Sequence, residues 1–170
     1  MVKATPLLQI MQAADWGLID ESQWDFGSAE IQQTNPHRFE MALLSGVIAF
    51  QPRDGFIVGV KHVTGGEFWA RGIPPSEATF PPVFMIELIG QLCSFYWRRT
   101  HPADQRTFAL AEIETARFHA AAVAGDRLIL VAKATDMNPR RAVFDTAGFI
   151  AGKLVVEAAI VGMALKMDRG

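Results

Sequence analysis

The alternation of apolar and polar side chains divides this chain into three kinds of stretch. Residues 1–34 open with Thr5-Pro6, a capping residue followed by proline at a first helical position. Leu7, Ile10, Met11 and Ala14 then fall at i, i+3, i+4 and i+7, and Gly17 ends the run. This spacing predicts a short amphipathic helix over Pro6–Trp16. The aromatics Trp16, Trp24 and Phe26 need cover, and the domain, a subunit partner and a substrate mouth are all open as that cover.

From Met41 the period shortens to two. Residues 41–51 and 56–63 flank Pro52-Arg53-Asp54-Gly55 and predict a hairpin. Gly65-Gly66 marks a second turn before Glu67-Phe68-Trp69. Beyond Thr100-His101-Pro102 come four strand-like segments, 107–118, 127–136, 141–150 and 153–165. Gly125-Asp126, Asn138-Pro139 and Ala151-Gly152 separate them.

Between the hairpin and these strands lies Val83–Tyr96, a helix-length run that is apolar on nearly every side. Its strongly polar members are Glu87, Gln91 and Ser94, which form one narrow stripe at i, i+4 and i+7. Pro81 and Pro82 suit a first turn, and Arg98 and Arg99 suit the negative end of the helix dipole. The run is too short, and too acidic at its middle, to span a membrane. An antiparallel sheet this long with one helix to cover it curls around that helix. Its edges stay open unless a second copy pairs with it. The pattern therefore predicts an α+β fold, a sheet wrapped on a helix, and a dimer.

Composition narrows the function classes. The 170 residues and a net charge of −2 fit one domain with an extension. A chain of this size buries about 70% of its unfolded surface and needs no staples. The lone Cys93 rules out a disulfide framework within one chain and, inside an apolar helix, reads as an inert thiol rather than a nucleophile. The absence of a basic run argues against nucleic-acid binding. No charged and then apolar leader opens the chain, so the expected location is the cytoplasm, away from membranes. The four histidines are scattered, no glycine-rich phosphate loop follows a strand, and neither metal nor cofactor is expected.

Glu87 is the candidate for chemistry. A carboxylate on the one polar stripe of an interior helix needs a partner, a solvent pocket or a role in a reaction. The structural alternative is a core glutamate satisfied by hydrogen bonds.

Several segments, taken in order, resemble the 3-hydroxyacyl-ACP dehydratases of bacterial fatty-acid synthesis. They are Asn35-Pro36-His37-Arg38-Phe39 with Leu43-Leu44, and Val60-Lys61-His62-Val63-Thr64 with Glu67-Phe68. Phe80-Pro81-Pro82-Val83 through Ile86-Glu87 with Gln91 follows, then Arg117-Phe118 with Gly125-Asp126, and Gly152-Lys153-Leu154-Val155 with Glu157-Ala158. The likeness implies the hotdog fold over residues 35–170, with 1–34 as a helical extension. It also implies active sites shared across a dimer, and an acyl carrier protein or coenzyme A thioester as ligand.

Dehydrating a 3-hydroxyacyl thioester takes a base for the α-proton, an acid for the leaving hydroxyl, and a donor to the thioester oxygen. The resemblance assigns these to a loop His, a helix Glu or Asp, and the N–H of a Gly opening the helix. Glu87 stands at the acid's place. The His position falls on Ile73, or on Gly72 with one inserted residue, and the Gly position is Pro82, which has no N–H. The family's Asp after Leu-Leu-Val is Ser45 here. Losing a proton carrier costs about 10²–10⁴ in rate, and losing an oxyanion donor about 10²–10³.

The expectation is therefore an acyl-thioester-binding protein whose Glu87 has lost its imidazole. It is expected as a homodimer or an oligomer of dimers, or as the silent partner of an active paralogue. Three rescues are open: the N–H groups of Val83 and Phe84 as donors, with Gln91 beside them; a relocated His37, His62 or His119; or Glu87 alone activating water, as in a thioesterase. His37 reads as a loop feature rather than the proton carrier. A purely structural dimerisation module is the third alternative.

Overall fold

A computed structural model describes residues 23–166, and the helix expected over Pro6–Trp16 lies outside them. Its elements are α1 (Ser28–Thr34), β1 (Gly46–Gln51), β2 (Phe56–His62), β3 (Thr79–Phe80), α2 (Pro82–Thr100), β4 (Thr107–Phe118), β5 (Ala122–Val123), β6 (Arg127–Asn138), β7 (Arg141–Ile150) and β8 (Lys153–Leu165). Six strands form one antiparallel sheet in the order β1-β2-β6-β7-β8-β4, and β3 pairs with β5 separately.

The inner face of the sheet wraps α2. Leu128, Leu130 and Ala132 of β6 point to the helix, as do Ile57, Phe144, Val156 and Ile160 from neighbouring strands. These meet Met85, Leu88, Ile89, Leu92 and Phe95, all essentially inaccessible to solvent. Close approach of helix and sheet depends on Gly59, where a Cβ would stand 2.7 Å from Leu92 Cδ1. The alternate residues Ile129 and Val131 belong to a second apolar cluster on the outer face. The segment just before the expected domain start also joins the core. Ile31 of α1 is buried, and Phe26 bridges Val47 at the β1 edge.

α2 begins at Pro82 and runs past the predicted Tyr96 to Thr100, whose Oγ1 donates to the carbonyls of Tyr96 and Trp97. At the far end of the sheet, β4 pairs only with β8 among the described residues, through a ladder with two register shifts. Most of its side chains from Leu110 onward are exposed. β4 is thus a long, open edge.

Candidate functional site

The polar stripe of α2 faces the loop 35–43, and Gln91 ties the two together. Its carboxamide is almost wholly buried; Oε1 accepts from the Leu43 N–H at 3.1 Å, and Nε2 donates to the Met41 carbonyl at 2.8 Å and to Glu87 Oε1 at 2.9 Å. Asn35 Nδ2 donates to the Gln91 carbonyl at 2.8 Å. Arg38 closes the loop by donating to the carbonyls of Asn35 and His37. This clip carries His37 to the helix, where its Nε2 lies 3.3 Å from Glu87 Oε1.

That contact overturns the expectation of an acid without an imidazole. Counting along the chain placed the histidine in the loop before α2, whereas the partner arrives from the loop after α1. The exposed Ile73 has its N–H bonded to the Ala70 carbonyl and does not line the cleft at Glu87. His62 packs edge-on against Trp24, and His119 Nε2 lies 3.2 Å from Glu157 Oε1. Neither reaches Glu87.

The hydrogen bond from His37 holds the Glu87 carboxyl below its ordinary value; partial burial opposes it, and Gln91 and the His37 charge add to it. Both partners converge on Oε1, which leaves Oε2 without a hydrogen bond among the described residues. On the other side of the imidazole, His37 Nδ1 is buried and unpartnered. The buried Ser94 hydroxyl, last of the stripe, has no partner either.

A cleft of about 260 Å³ opens beside these groups, between α2 and the sheet edge. Its polar rim is His37, Glu87, Ser94 and Thr107; its apolar walls include Phe108, Leu110 and Ile160. Phe108 closes the floor, stacked on Trp97 at 4.7 Å and seated on Gly162, where a Cβ would meet its ring. Gly90 leaves further room: it lines the cleft, and a Cβ there would touch nothing within 4 Å.

The start of α2 departs from expectation. The Phe84 N–H already donates to the Pro81 carbonyl at 2.9 Å, so it is not the free donor expected of a first turn. Its ring packs against Phe68 and Phe80. Val83, 67% exposed, is the remaining first-turn residue with an N–H to offer. Neither residue lines the cleft. Cys93 is buried one turn and a half beyond Glu87, and burial pushes its thiol far above the ordinary range.

Two larger hollows lie away from Glu87. One of about 360 Å³ contains Glu67, but its Oε2 accepts from Lys61 at 2.8 Å and its Oε1 from Thr64. The other, about 570 Å³, lies at the β6–β7 ends around Asp126, Ile129 and Gly152. There Asp126 Oδ2 is spent on the Val123 N–H. No group of three metal-ligating side chains gathers among the described residues.

Residues 35–159 match the FabA-like domain. The 3-hydroxyacyl-[acyl-carrier-protein] dehydratase FabZ of Anaeromyxobacter sp. (strain K) is 30% identical over 145 residues, covering 82% of this chain and 90% of the relative. The bifunctional enzyme LpxC/FabZ of Chlorobaculum tepidum is 28% identical over 138 residues, or 80% of this chain, but the chain spans only 29% of that enzyme. Among solved structures, the dehydratase heterocomplex ApeI:P from Xenorhabdus doucetiae is similar, with a TM-score of 0.68 and 17% identity over 81% of this chain and 91% of the other. Together with the sheet order and the central helix, these similarities establish the hotdog fold.

Proposed function

The chain belongs to the FabA-like domain family, and on that premise we propose that it binds acyl thioesters, of an acyl carrier protein or of coenzyme A, in the cleft beside Glu87. The observation that carries this reading is the cleft itself: an apolar floor, room left by Gly90, and an ionised carboxylate with one free oxygen at the rim. The dehydratase relatives support a 3-hydroxyacyl thioester of fatty-acid or lipid metabolism as the ligand class.

Standard dehydration is poorly served by this arrangement. His37 directs Nε2 at Glu87 and buries Nδ1, so the imidazole keeps the carboxylate charged instead of offering a second proton carrier. The loop position expected for that carrier is Ile73, and Pro82 removes an oxyanion donor. Against losses of about 10²–10⁴ for an acid–base partner, we read the chain as a thioester-binding member that has given up fast dehydration. It serves as a homodimer built on the open β4 edge, or beside an active paralogue, in the cytoplasm. Leu110, Ile113 and Phe118, exposed along β4, favour such pairing.

The 3.3 Å contact favours a second reading, in which His37 turns Nε2 from Glu87 to the substrate. Glu87 then takes the α-proton, His37 protonates the leaving β-hydroxyl, water departs and the α–β double bond forms. Purified protein titrated with 3-hydroxyacyl-ACP and 3-hydroxyacyl-CoA decides between them. Saturable binding with turnover at least about 10²-fold below a FabZ dehydratase assayed alongside supports the first. Rapid dehydration abolished by both Glu87→Ala and His37→Phe establishes the second, hydrolysis needing Glu87 alone would make the chain a thioesterase, and no binding refutes all three.

A further inference from the structure

The end of α2 carries cations that the fold does not use. Arg98, Arg99 and His101 line a hollow of about 270 Å³ together with Thr34, Asp104 and Gln105. It lies where α1 ends, against the connection from α2 to β4. Cations suit the negative end of a helix dipole, yet other donors serve the carbonyls of the last turn. Thr100 Oγ1 donates to the Tyr96 and Trp97 carbonyls, and the His101 N–H donates to Trp97 as well. Among the described residues, neither guanidinium has a hydrogen bond to a carbonyl or an ion pair with a carboxylate. The one acid among the lining residues is already taken. Asp104 Oδ1 accepts from Arg106 Nε at 2.9 Å, and Oδ2 accepts from Arg106 Nη2 at 2.6 Å.

These cations are also held in place. The Arg99 guanidinium lies over the Phe26 ring, 4.6 Å from its centroid. His101 stacks on Trp97 with ring centroids 3.9 Å apart, and its Nδ1 lies 3.1 Å from the Trp97 carbonyl. Arg98 Nε is buried and has no partner. A guanidinium N–H withdrawn from water without an acceptor is unfavourable, so this group calls for an anion.

From these observations we propose that the hollow binds a phosphate group, held by the guanidinium groups of Arg98 and Arg99 with His101 beside them. The donor geometry selects the anion. A carboxylate presents two oxygens and saturates one planar fork, whereas a phosphate presents enough oxygens for two. Gln105, exposed at the rim, adds a neutral donor. The hollow is separate from the Glu87 cleft and shares no lining residue with it. Arg98 follows Glu87 by eleven residues, roughly 16 Å along the helix at about 1.5 Å each. Phosphate binding here is therefore independent of the thioester reading. The same chemistry has two sources, the free ion and a phosphate carried on a nucleotide.

Full-length protein titrated with inorganic phosphate, at an ionic strength held constant with sodium chloride, tests the assignment. Saturable binding should appear by phosphorus NMR or calorimetry, and Arg98→Gln should weaken it at least about tenfold. Arg99→Gln, at an exposed position, should weaken it too and carries the test if the first variant fails to fold. Arg71→Gln removes the same charge from an exposed position outside the hollow and should leave the affinity unchanged. Coenzyme A in competition then separates the sources. Displacement of phosphate assigns the site to a phosphate carried on a nucleotide, and undisturbed phosphate assigns it to the free ion. The proposal is overturned by no saturable binding, by an affinity equal in parent and both hollow variants, or by an equal loss in Arg71→Gln. Capture of a polyglutamate peptide in place of phosphate would overturn it as well.

Discussion

Replacing Gln91 by leucine should unclip the loop that carries His37. The side chain is buried and serves two main-chain groups, so the substitution preserves volume but strands the Leu43 N–H and the Met41 carbonyl. A buried group left unpaired costs about 1–3 kcal/mol. Leu43 is buried and should bear the full penalty, whereas exposed Met41 can recover a water and should sit at the low end. The sum is about 2–4 kcal/mol. At about 2–4 °C per kcal/mol for a chain of this size, melting should fall by roughly 4–16 °C. Urea denaturation should show a lower midpoint at unchanged slope. The same change removes one of the two donors to Glu87, so its carboxyl should titrate closer to the ordinary 4.5, as read by carbon-detected NMR. A variant within about 0.5 kcal/mol of the parent, with the Glu87 titration unmoved, would show that Gln91 is not the clip.

Two further predictions follow from the same site. Glu87 titrates lower in the folded protein than its ordinary 4.5, so the stability it contributes is present above 4.5 and lost as pH falls through the folded value. In His37→Phe the folded value should rise, and the stability gap between variant and parent should narrow as pH is lowered below 4.5; parallel stability curves would exclude the coupling. Gly90→Ala should stabilise α2 by about 0.5–1 kcal/mol, because the added methyl meets no neighbour. It should also weaken acyl-thioester binding by narrowing the cleft, and unchanged affinity in a titration would remove Gly90 from the ligand's path.

Much of the fold was legible because its strands carry strong local signals. Segments 107–118, 141–150 and 153–165 agree with β4, β7 and β8, since turn residues punctuate them and side chains alternate between faces. The place of β4 was not legible. It follows α2 in sequence yet pairs with β8 at the far edge, a contact set by register across some forty intervening residues such as Arg117 with Glu157. α1 was missed because seven residues are too few for a helical period; its start is marked only by Glu30 Oε2 accepting from the Gly27 N–H.

Glu87 and Gln91 stood out because polar residues on an apolar cylinder break its pattern. His37 did not, because a loop residue has no period to break, and its meeting with Glu87 depends on main-chain bonds to Gln91 about 50 residues away. A signal was nonetheless available. A buried carboxamide one turn from a carboxylate must find backbone partners, and Met41 and Leu43 are where it finds them.

Edge strand β4 supplies Thr107, Phe108, Ala109 and Leu110 to the wall of the cleft and, among the described residues, leaves its outer hydrogen-bonding row open. A chain adding itself to that row and a ligand filling the cleft would act on one strand from its two sides. Whatever free energy the first contributes to ordering β4 is credited to the second, and thermodynamic reciprocity makes the coupling equal in both directions. Affinity for the ligand should then vary with protein concentration, and dilution alone would act as an inhibitor.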